Sequence, residues 1–385
     1  VILRTPPFQH QTDEFERSKD LPSRAAFWEM GCGKTWLALA LALHKYESGL
    51  IDAMLVVAPN GVHQNWVTDE IPKHWPDGVP IQTCVYQSKK AGTKKHTESI
   101  GTMMAFEGLA FLAMSYNAIM TESGRRWAER LLARRRVLFV LDESHRCKSA
   151  SAKRTRAIVA MGRRTPHKMI LSGTPVTKCP FDVYPQLKFL DEEFWKQRGF
   201  ASYEAFKTHF GVWVDRVVAG GNRFQQVVAF KNMEELARYV AEIGSRVTKD
   251  EALDLPPKLY QKRYFDLSAP QLAAYRELRD EFLTFLASGD QVTAPLAVVR
   301  LLRLQQIICG YVPLDMSTRA VNEAEIPTHR FPENPRLAAL VDLLEDLEGK
   351  AIIFARFRAD VDQICDALGS AAVRYDGAVD DAGRL

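Results

Sequence analysis

A glycine-rich turn, Trp28-Glu29-Met30-Gly31-Cys32-Gly33-Lys34-Thr35, runs directly into an apolar helix from Trp36 to Leu43. Its residue types suit a phosphate. Gly31 and Gly33 can take backbone angles closed to other residues, so successive N–H groups can turn inward on an anion at the positive end of the following helix. Lys34 would reach the β- and γ-phosphates as a point charge, and the Thr35 hydroxyl would be a ligand of Mg²⁺. The full GxxxxGK[ST] spacing wants glycine at position 28, where this chain has Trp28. An ordinary glycine turn capping a helix would use the same residues.

A second group lies downstream. The apolar run Val137-Leu138-Phe139-Val140-Leu141 delivers Asp142, Glu143, Ser144 and His145 to its carboxyl end. In an ATPase the first carboxylate, Asp142, would hold Mg²⁺ through its water shell, and Glu143 would orient or deprotonate the attacking water. Acidic residues closing a strand also cap helices; a GKT on the same kind of strand–loop–helix unit upstream favours catalysis. His145 could link the nucleotide site to a neighbouring surface. The run from His167 to Leu171 ends in Ser172-Gly173-Thr174-Pro175, a turn whose hydroxyls can relay position through short hydrogen bonds. Gln11 carries the donor and acceptor needed to read adenine, and equally suits a surface.

These groups need a scaffold of parallel strands. The short run Ala25-Ala26-Phe27 enters the cradle, and Ala53-Met54-Leu55-Val56-Val57-Ala58 reads as a buried strand ending in the turn Pro59-Asn60-Gly61. Phe111-Leu112-Ala113-Met114, Val137–Leu141 and His167–Leu171 supply further strands. Trp66 and Glu70 fall at helical spacing, with Trp66 read as core. From Asp191 to about Val247 the chain is rich in aromatics, read as the core of a largely helical insertion, with a hairpin-like turn at Gly220-Gly221-Asn222. Leu255-Pro256-Pro257 is a stiff connector. Beyond it the pattern predicts a segment Tyr260–Phe265, helices over Pro270–Leu286 and Pro295–Cys309, a proline-bearing loop Pro327–Pro335, and a first sheet strand at Ala351–Phe354.

At 385 residues two α/β domains are the natural expectation. A makeup of 46% hydrophobic and 25% charged residues is that of a water-soluble globular protein. The net charge of +4 requires any nucleic-acid contact to come from a local basic surface. Two stretches qualify. One is Lys89, Lys90, Lys94, Lys95 and His96 around Gly92, either a solvated loop or a phosphate-tracking one; the other is Lys148, Lys153, Arg154, Arg156, Arg163 and Arg164. Six cysteines stand singly with no CxxC pair, which argues for reduced thiols and against a zinc site. No apolar run approaches membrane-spanning length, and no signal pattern opens the chain at Val1. The expected setting is cytoplasmic, bacterial or phage-encoded, with no membrane partner.

GCGKT, DESH and SGTP, in that order on successive strands, resemble motifs I, II and III of superfamily-two helicases. Met30 before GCGKT, VVAPNGVHQNWVTDEI, SGTPVTKCPFDVYPQLKFL, SRVTKDEALDLPPK, FDLSAPQLAAYREL, RLLRLQQIICG, NPRLAALVDLLEDL and KAIIFARFRADVDQICDAL are similar to the corresponding stretches of the Swi/Snf-type DNA translocases. The resemblance covers nearly the whole chain. It departs at Trp28 and Glu29, where that family usually has a small residue and an aspartate.

The resemblance implies an α/β fold of two RecA-like lobes, parallel sheets flanked by helices, with helical insertions. The first lobe would span 1–190, an insertion and linker 191–257, and the second lobe 258–385. It implies ATP and Mg²⁺ as cofactors, with Gln11, Gly31, Cys32, Gly33, Lys34, Thr35 and Trp36 at the nucleotide and Thr35 and Asp142 at the metal. Lys34, Asp142 and Glu143 would be catalytic, and His145, Ser172, Gly173 and Thr174 would couple hydrolysis to movement along double-stranded DNA. From the charge pattern alone, the candidate nucleic-acid contacts are Lys89, Lys90, Lys94, Lys95, Lys148, Lys153 and Arg154. The family's motifs V and VI lie beyond Tyr375-Asp376-Gly377, so weak hydrolysis by this chain alone is expected. Two other functions remain open: a strand-separating DNA or RNA helicase, and a nucleotide-gated DNA-binding protein without turnover.

Overall fold

The computed structural model describes residues 3–217, 223–287, 294–313, 328–377 and 379. The chain divides into two compact units, Val1–Pro256 and Pro257–Leu385.

The first unit is built on seven strands: β1 (Ser23–Trp28), β2 (Ala53–Ala58), β3 (Ile81–Val85), β4 (Leu109–Ser115), β5 (Val137–Asp142), β6 (Lys168–Leu171) and a last one at Gly244–Val247. All pair in parallel, in the order β3-β4-β2-β5-β6-β1 with Gly244–Val247 on the outer edge of β1. The inner strands are continuous apolar runs because helices cover both faces. Successive side chains therefore enter two different cores: Phe27, Leu55, Val57, Phe139 and Leu141 on one face, Trp28, Met54, Val56, Leu138 and Val140 on the other. The helix Lys34–Glu47 lies in the second core with Leu37 to Leu43 all buried, so it is apolar all round rather than amphipathic.

Between β6 and Gly244–Val247 the chain forms the helix Tyr203–Phe210, an antiparallel hairpin of β7 (Gly211–Val217) and β8 (Arg223–Phe230), and the helix Met233–Ile243. The Gly220-Gly221-Asn222 turn lies outside the described residues. Phe194, Trp195, Phe200, Phe206 and Phe210 are buried against one another, and Trp213 stacks on Phe181. These rings are packing groups. Gly244–Val247, labelled β9 from here, follows this stretch and returns to the main sheet.

In the second unit the helices Ala269–Ala287 and Ala294–Ile308 pack together, with Gln271 Nε2 donating to the Ile307 carbonyl at 3.0 Å. A ribbon of Tyr311–Pro313 and Thr328–Arg330 and the helices Pro335–Glu345 and Arg358–Leu368 follow. Asn334 and Gln363 both donate to the Cys309 carbonyl, at 3.0 and 3.1 Å. The expected strand at Ala351–Phe354 is not formed. No described segment lies beside it to complete a ladder, and Ile352 and Phe354 are 83% and 93% exposed.

Candidate nucleotide site

The sheet order decides which side chains meet. In a parallel sheet every carboxyl end faces the same way, and β2, β5, β6, β1 and β9 are successive neighbours. Their loops therefore present the Trp66 segment, Asp142–His145, Ser172–Thr174, the glycine-rich turn and Lys249 side by side, where ligands of open α/β sheets gather.

The turn after β1 has the shape its sequence requires. Gly31 and Gly33 stand at φ +90° and +77°, and Gly33 caps the helix that begins at Lys34. His10 Nε2 donates to the Cys32 carbonyl at 2.8 Å and Gln11 Nε2 to the Gly33 carbonyl at 3.1 Å, so the loop is held from beneath by the helix Gln9–Ser18. Gln11 is only 2% exposed, and its Oε1 accepts from the Phe8 N–H at 2.7 Å. Its amide thus braces the cradle. At φ +77° any side chain on Gly33 would be strained, and its Cβ would fall 2.0 Å from Gln11 Nε2 and displace the brace.

Cys32 is fully buried, and Trp36 is turned into the core with its Nε1 donating to the Thr5 carbonyl at 3.1 Å. Neither side chain faces the cradle, so any contribution of these two positions to a phosphate is through the backbone. Trp28 fills the space left without a first glycine by facing away from the cradle, its Nε1 donating to Ser245 Oγ of β9 at 2.8 Å.

Lys34 Nζ rests on the Trp28 and Glu29 carbonyls at 2.9 and 3.1 Å. Burial pushes its ammonium below the ordinary value, opposed by the attraction of Glu143 and Asp142. That attraction brings motifs from β1 and β5 into one field. Asp142 is buried, and burial pushes its carboxyl up while a hydrogen bond from Trp66 Nε1 to Oδ2 at 3.0 Å pulls it down. Trp66 opens a π-helical turn, Trp66–Glu70, the kind of irregularity that re-aims a side chain at functional sites. Trp66 is buried as its helical spacing predicts, and its one polar atom serves the acid.

Glu143 is held at φ +53°, ψ +54°, a left-handed conformation that costs a side-chain-bearing residue ~1–2 kcal/mol. The turn aims its carboxylate at His145, whose Nδ1 lies 3.1 Å from Glu143 Oε2 and 3.3 Å from Ser172 Oγ. Ser172 Oγ also accepts from the Thr174 N–H at 3.2 Å, and the Ser172 N–H donates to Ala26 of β1. A Cβ on Gly173 would meet the Trp28 carbonyl at 3.3 Å, so the SGT turn lies directly against the entrance of the cradle. Behind it, Ser144 Oγ donates to the buried Gln186 at 2.7 Å, and Gln186 Nε2 donates to the Pro175 and Asp182 carbonyls, each at 2.8 Å. Gln186 ties the acid-bearing loop to the SGTP turn, a role no local pattern announces.

The basic residues fall in two groups. Lys89 and Lys90 form a short 3₁₀ turn, and Lys94 and Lys95 open the helix Lys94–Ala105, all exposed. His96 leaves the group: it is buried, its Nε2 accepts from the Gln87 N–H at 3.2 Å, and burial, with the charge of Lys90, pushes its imidazole below the ordinary value. Lys148 is bonded to Thr177 Oγ1, Lys153 is exposed, and Arg154 lies 6.0 Å over the Tyr116 ring.

The donor set suits Mg²⁺ with a nucleoside triphosphate. Among the described residues there is no cluster of three or more His, Cys, Asp and Glu side chains that could cage a metal alone. Mg²⁺ is instead commonly held by one or two protein ligands together with phosphates and water, the set that Thr35 and Asp142 offer. The parallel sheet, the glycine turn on a helix N-terminus and the acid pair two strands away are the arrangement of an α/β fold of the P-loop nucleotide-binding kind. The chain belongs to the SNF2-related domain family, whose model matches residues 27–310; ATP hydrolysis is that family's general chemistry.

Among individual proteins, the DNA annealing helicase and endonuclease ZRANB3 of Bos taurus is 27% identical over 286 residues, 72% of this chain and 23% of the relative. Helicase SWR1 of Candida glabrata is 25% identical over 302 residues, 74% of this chain and 19% of the relative. The chain thus spans about a quarter or less of these relatives. The solved Sulfolobus solfataricus SWI2/SNF2 ATPase core in complex with dsDNA aligns with 95% of this chain and 70% of its own, at 19% identity and a TM-score of 0.49. No helix among the described residues is long and apolar enough to cross a membrane.

Proposed function

We propose that this chain is the ATP-binding part of a motor that translocates along double-stranded DNA, using ATP with Mg²⁺. The observation that carries the reading is the chain Glu143–His145–Ser172, at 3.1 and 3.3 Å, ending on a turn packed against the phosphate loop. Mg²⁺, when bound, neutralises developing phosphate charge. Lys34 binds the phosphate tail, Thr35 and Asp142 hold the metal, and Glu143 accepts the proton of the attacking water. Because His145 touches Glu143 and the SGT turn together, a shift of the carboxylate moves Ser172–Thr174. Support for DNA as the track comes from the resemblance and from relatives named as a DNA annealing helicase and a helicase. Binding and hydrolysis would then favour different conformations of the protein, shifting its grip on the backbone.

The experiment is Glu143→Gln assayed for nucleotide binding, phosphate release and DNA retention. The proposal expects nucleotide binding within a few-fold of wild type, phosphate release lowered by about 10²–10⁴-fold as for loss of a general base, and prolonged DNA retention. Retention identical to wild type, with no phosphate release from either protein, would instead identify a nucleotide-gated clamp.

A further inference from the structure

The cradle has a second cation above it. Pairing of β9 with β1 sets Phe27 opposite Arg246 and Trp28 opposite Val247, and the Glu29 N–H continues the pairing to the Val247 carbonyl at 2.9 Å. The two chains therefore leave the sheet side by side, one into the glycine turn and the other into Thr248-Lys249. Thr248 and Glu251 form a capping box that turns the chain at this point. Glu29 Oε2 accepts from the Lys249 N–H at 2.9 Å, so the lysine backbone is fixed to the loop it overlooks.

From that anchor the side chain extends across the turn. Its Cε lies 3.7 Å from where a Cβ on Gly31 would be, and Gly31 is exposed with φ +90°. The ammonium makes no hydrogen bond or ion pair within the described residues, Glu29 being engaged with its backbone N–H. Burial pushes the Lys34 ammonium below its ordinary value, and the nearby charge of Lys249 adds to that push. Two ammonium groups over inward-turning amides are a repulsive arrangement that an anion between them relieves.

We propose that Lys249 is a second phosphate-binding lysine of the nucleotide site, contributed by the segment that leaves the first unit, so that this segment senses the phosphate tail. The inference rests on the nucleotide reading of the cradle. Its ligand is a polyphosphate tail: a nucleoside triphosphate engages Lys249, and a monophosphate does not reach it.

The test is competition of ATP and AMP against a fluorescent ATP analogue, with Lys249→Ala, Lys249→Glu, Lys249→Arg, Asp250→Ala and Lys34→Ala compared at equal thermal midpoint. Lys249→Ala is expected to weaken ATP about 10-fold, the worth of one charge-assisted hydrogen bond. Lys249→Glu should weaken it further, while Lys249→Arg and Asp250→Ala stay near wild type and AMP is unaffected throughout. Unchanged ATP affinity in Lys249→Ala and Lys249→Glu, with binding lost in Lys34→Ala, overturns the role of Lys249 and leaves the cradle standing. Equal losses in the Ala and Arg variants, or equal losses for ATP and AMP, also overturn it, because packing and not charge would then be at work. Wild-type binding in Lys34→Ala removes the nucleotide reading itself.

Discussion

The indole of Trp66 donates to Oδ2 of Asp142 at 3.0 Å, with both side chains buried and 76 residues apart in the chain. The contact fixes one oxygen of the carboxylate. Trp66→Phe keeps an aromatic ring beside Phe111, whose centroid lies 6.3 Å from that of Trp66, but removes the N–H together with part of the buried indole. A hydrogen bond to a charged group is worth ~1.5–3 kcal/mol. We expect Trp66→Phe to lose about that in urea unfolding and to need several-fold more Mg²⁺ for half-maximal nucleotide binding. Titration of Mg²⁺ against nucleotide fluorescence checks this; an unchanged midpoint would return Trp66 to a packing role.

Gln11 supports the cradle from below through Gly33. A brace acts on every nucleotide alike, whereas an adenine reader discriminates. Gln11→Ala is therefore expected to weaken ATP and GTP by the same factor, roughly 5–10-fold for one lost hydrogen bond of about 1 kcal/mol or slightly more. Competition binding with both nucleotides decides it, since loss confined to ATP would restore the adenine role.

Arg24 and Glu14 form a buried pair at 2.6 Å, their side chains 7% and 3% exposed, with Arg24 Nη1 also donating to the Glu242 carbonyl at 3.2 Å. Removing Arg24 leaves the buried Glu14 carboxylate, among the described residues, with only the exposed Arg17 guanidinium, at 3.4 Å. Arg24→Met should cost ~3–5 kcal/mol, and the double variant Arg24→Met/Glu14→Leu should recover most of it. Chemical denaturation of the three proteins measures both quantities, and a loss under 1 kcal/mol for the single variant would contradict the pairing.

Lys89, Lys90, Lys94 and Lys95 are exposed on one turn and the start of the following helix, with Lys94 3.8 Å from Glu98. If they track phosphates, replacing all four with alanine lowers the slope of log affinity against log salt by up to about 0.9 per lost contact on duplex DNA. Fluorescence anisotropy over a salt series reads the slope directly. An identical slope would mark a solvated loop.

The inner strands β2, β4, β5 and β6 were legible because burial on both faces leaves a continuous apolar run, and the motifs could be placed on their carboxyl ends. The edge strands were not. Ile81–Val85 carries Gln82 and Thr83 among its apolar residues, and Gly244–Val247 is four residues with an arginine among them. Each is half-solvated and owes its existence to its neighbour. Contacts set by strand order, such as Trp66 with Asp142 or Lys249 with the cradle, have no signature at fixed spacing. Ala351–Phe354 shows the converse: an apolar β-branched run announces a strand, yet pairing requires a partner chain beside it.

The central claim is that the nucleotide site answers to duplex DNA. Its most direct measurement is phosphate release per bound nucleotide at low salt, with no DNA, single-stranded DNA and blunt duplex in parallel. The account predicts that duplex raises the ratio several-fold over both other conditions, and that Lys34→Ala abolishes it. Nucleotide bound at full occupancy with the same ratio in all three conditions would contradict a DNA-driven motor.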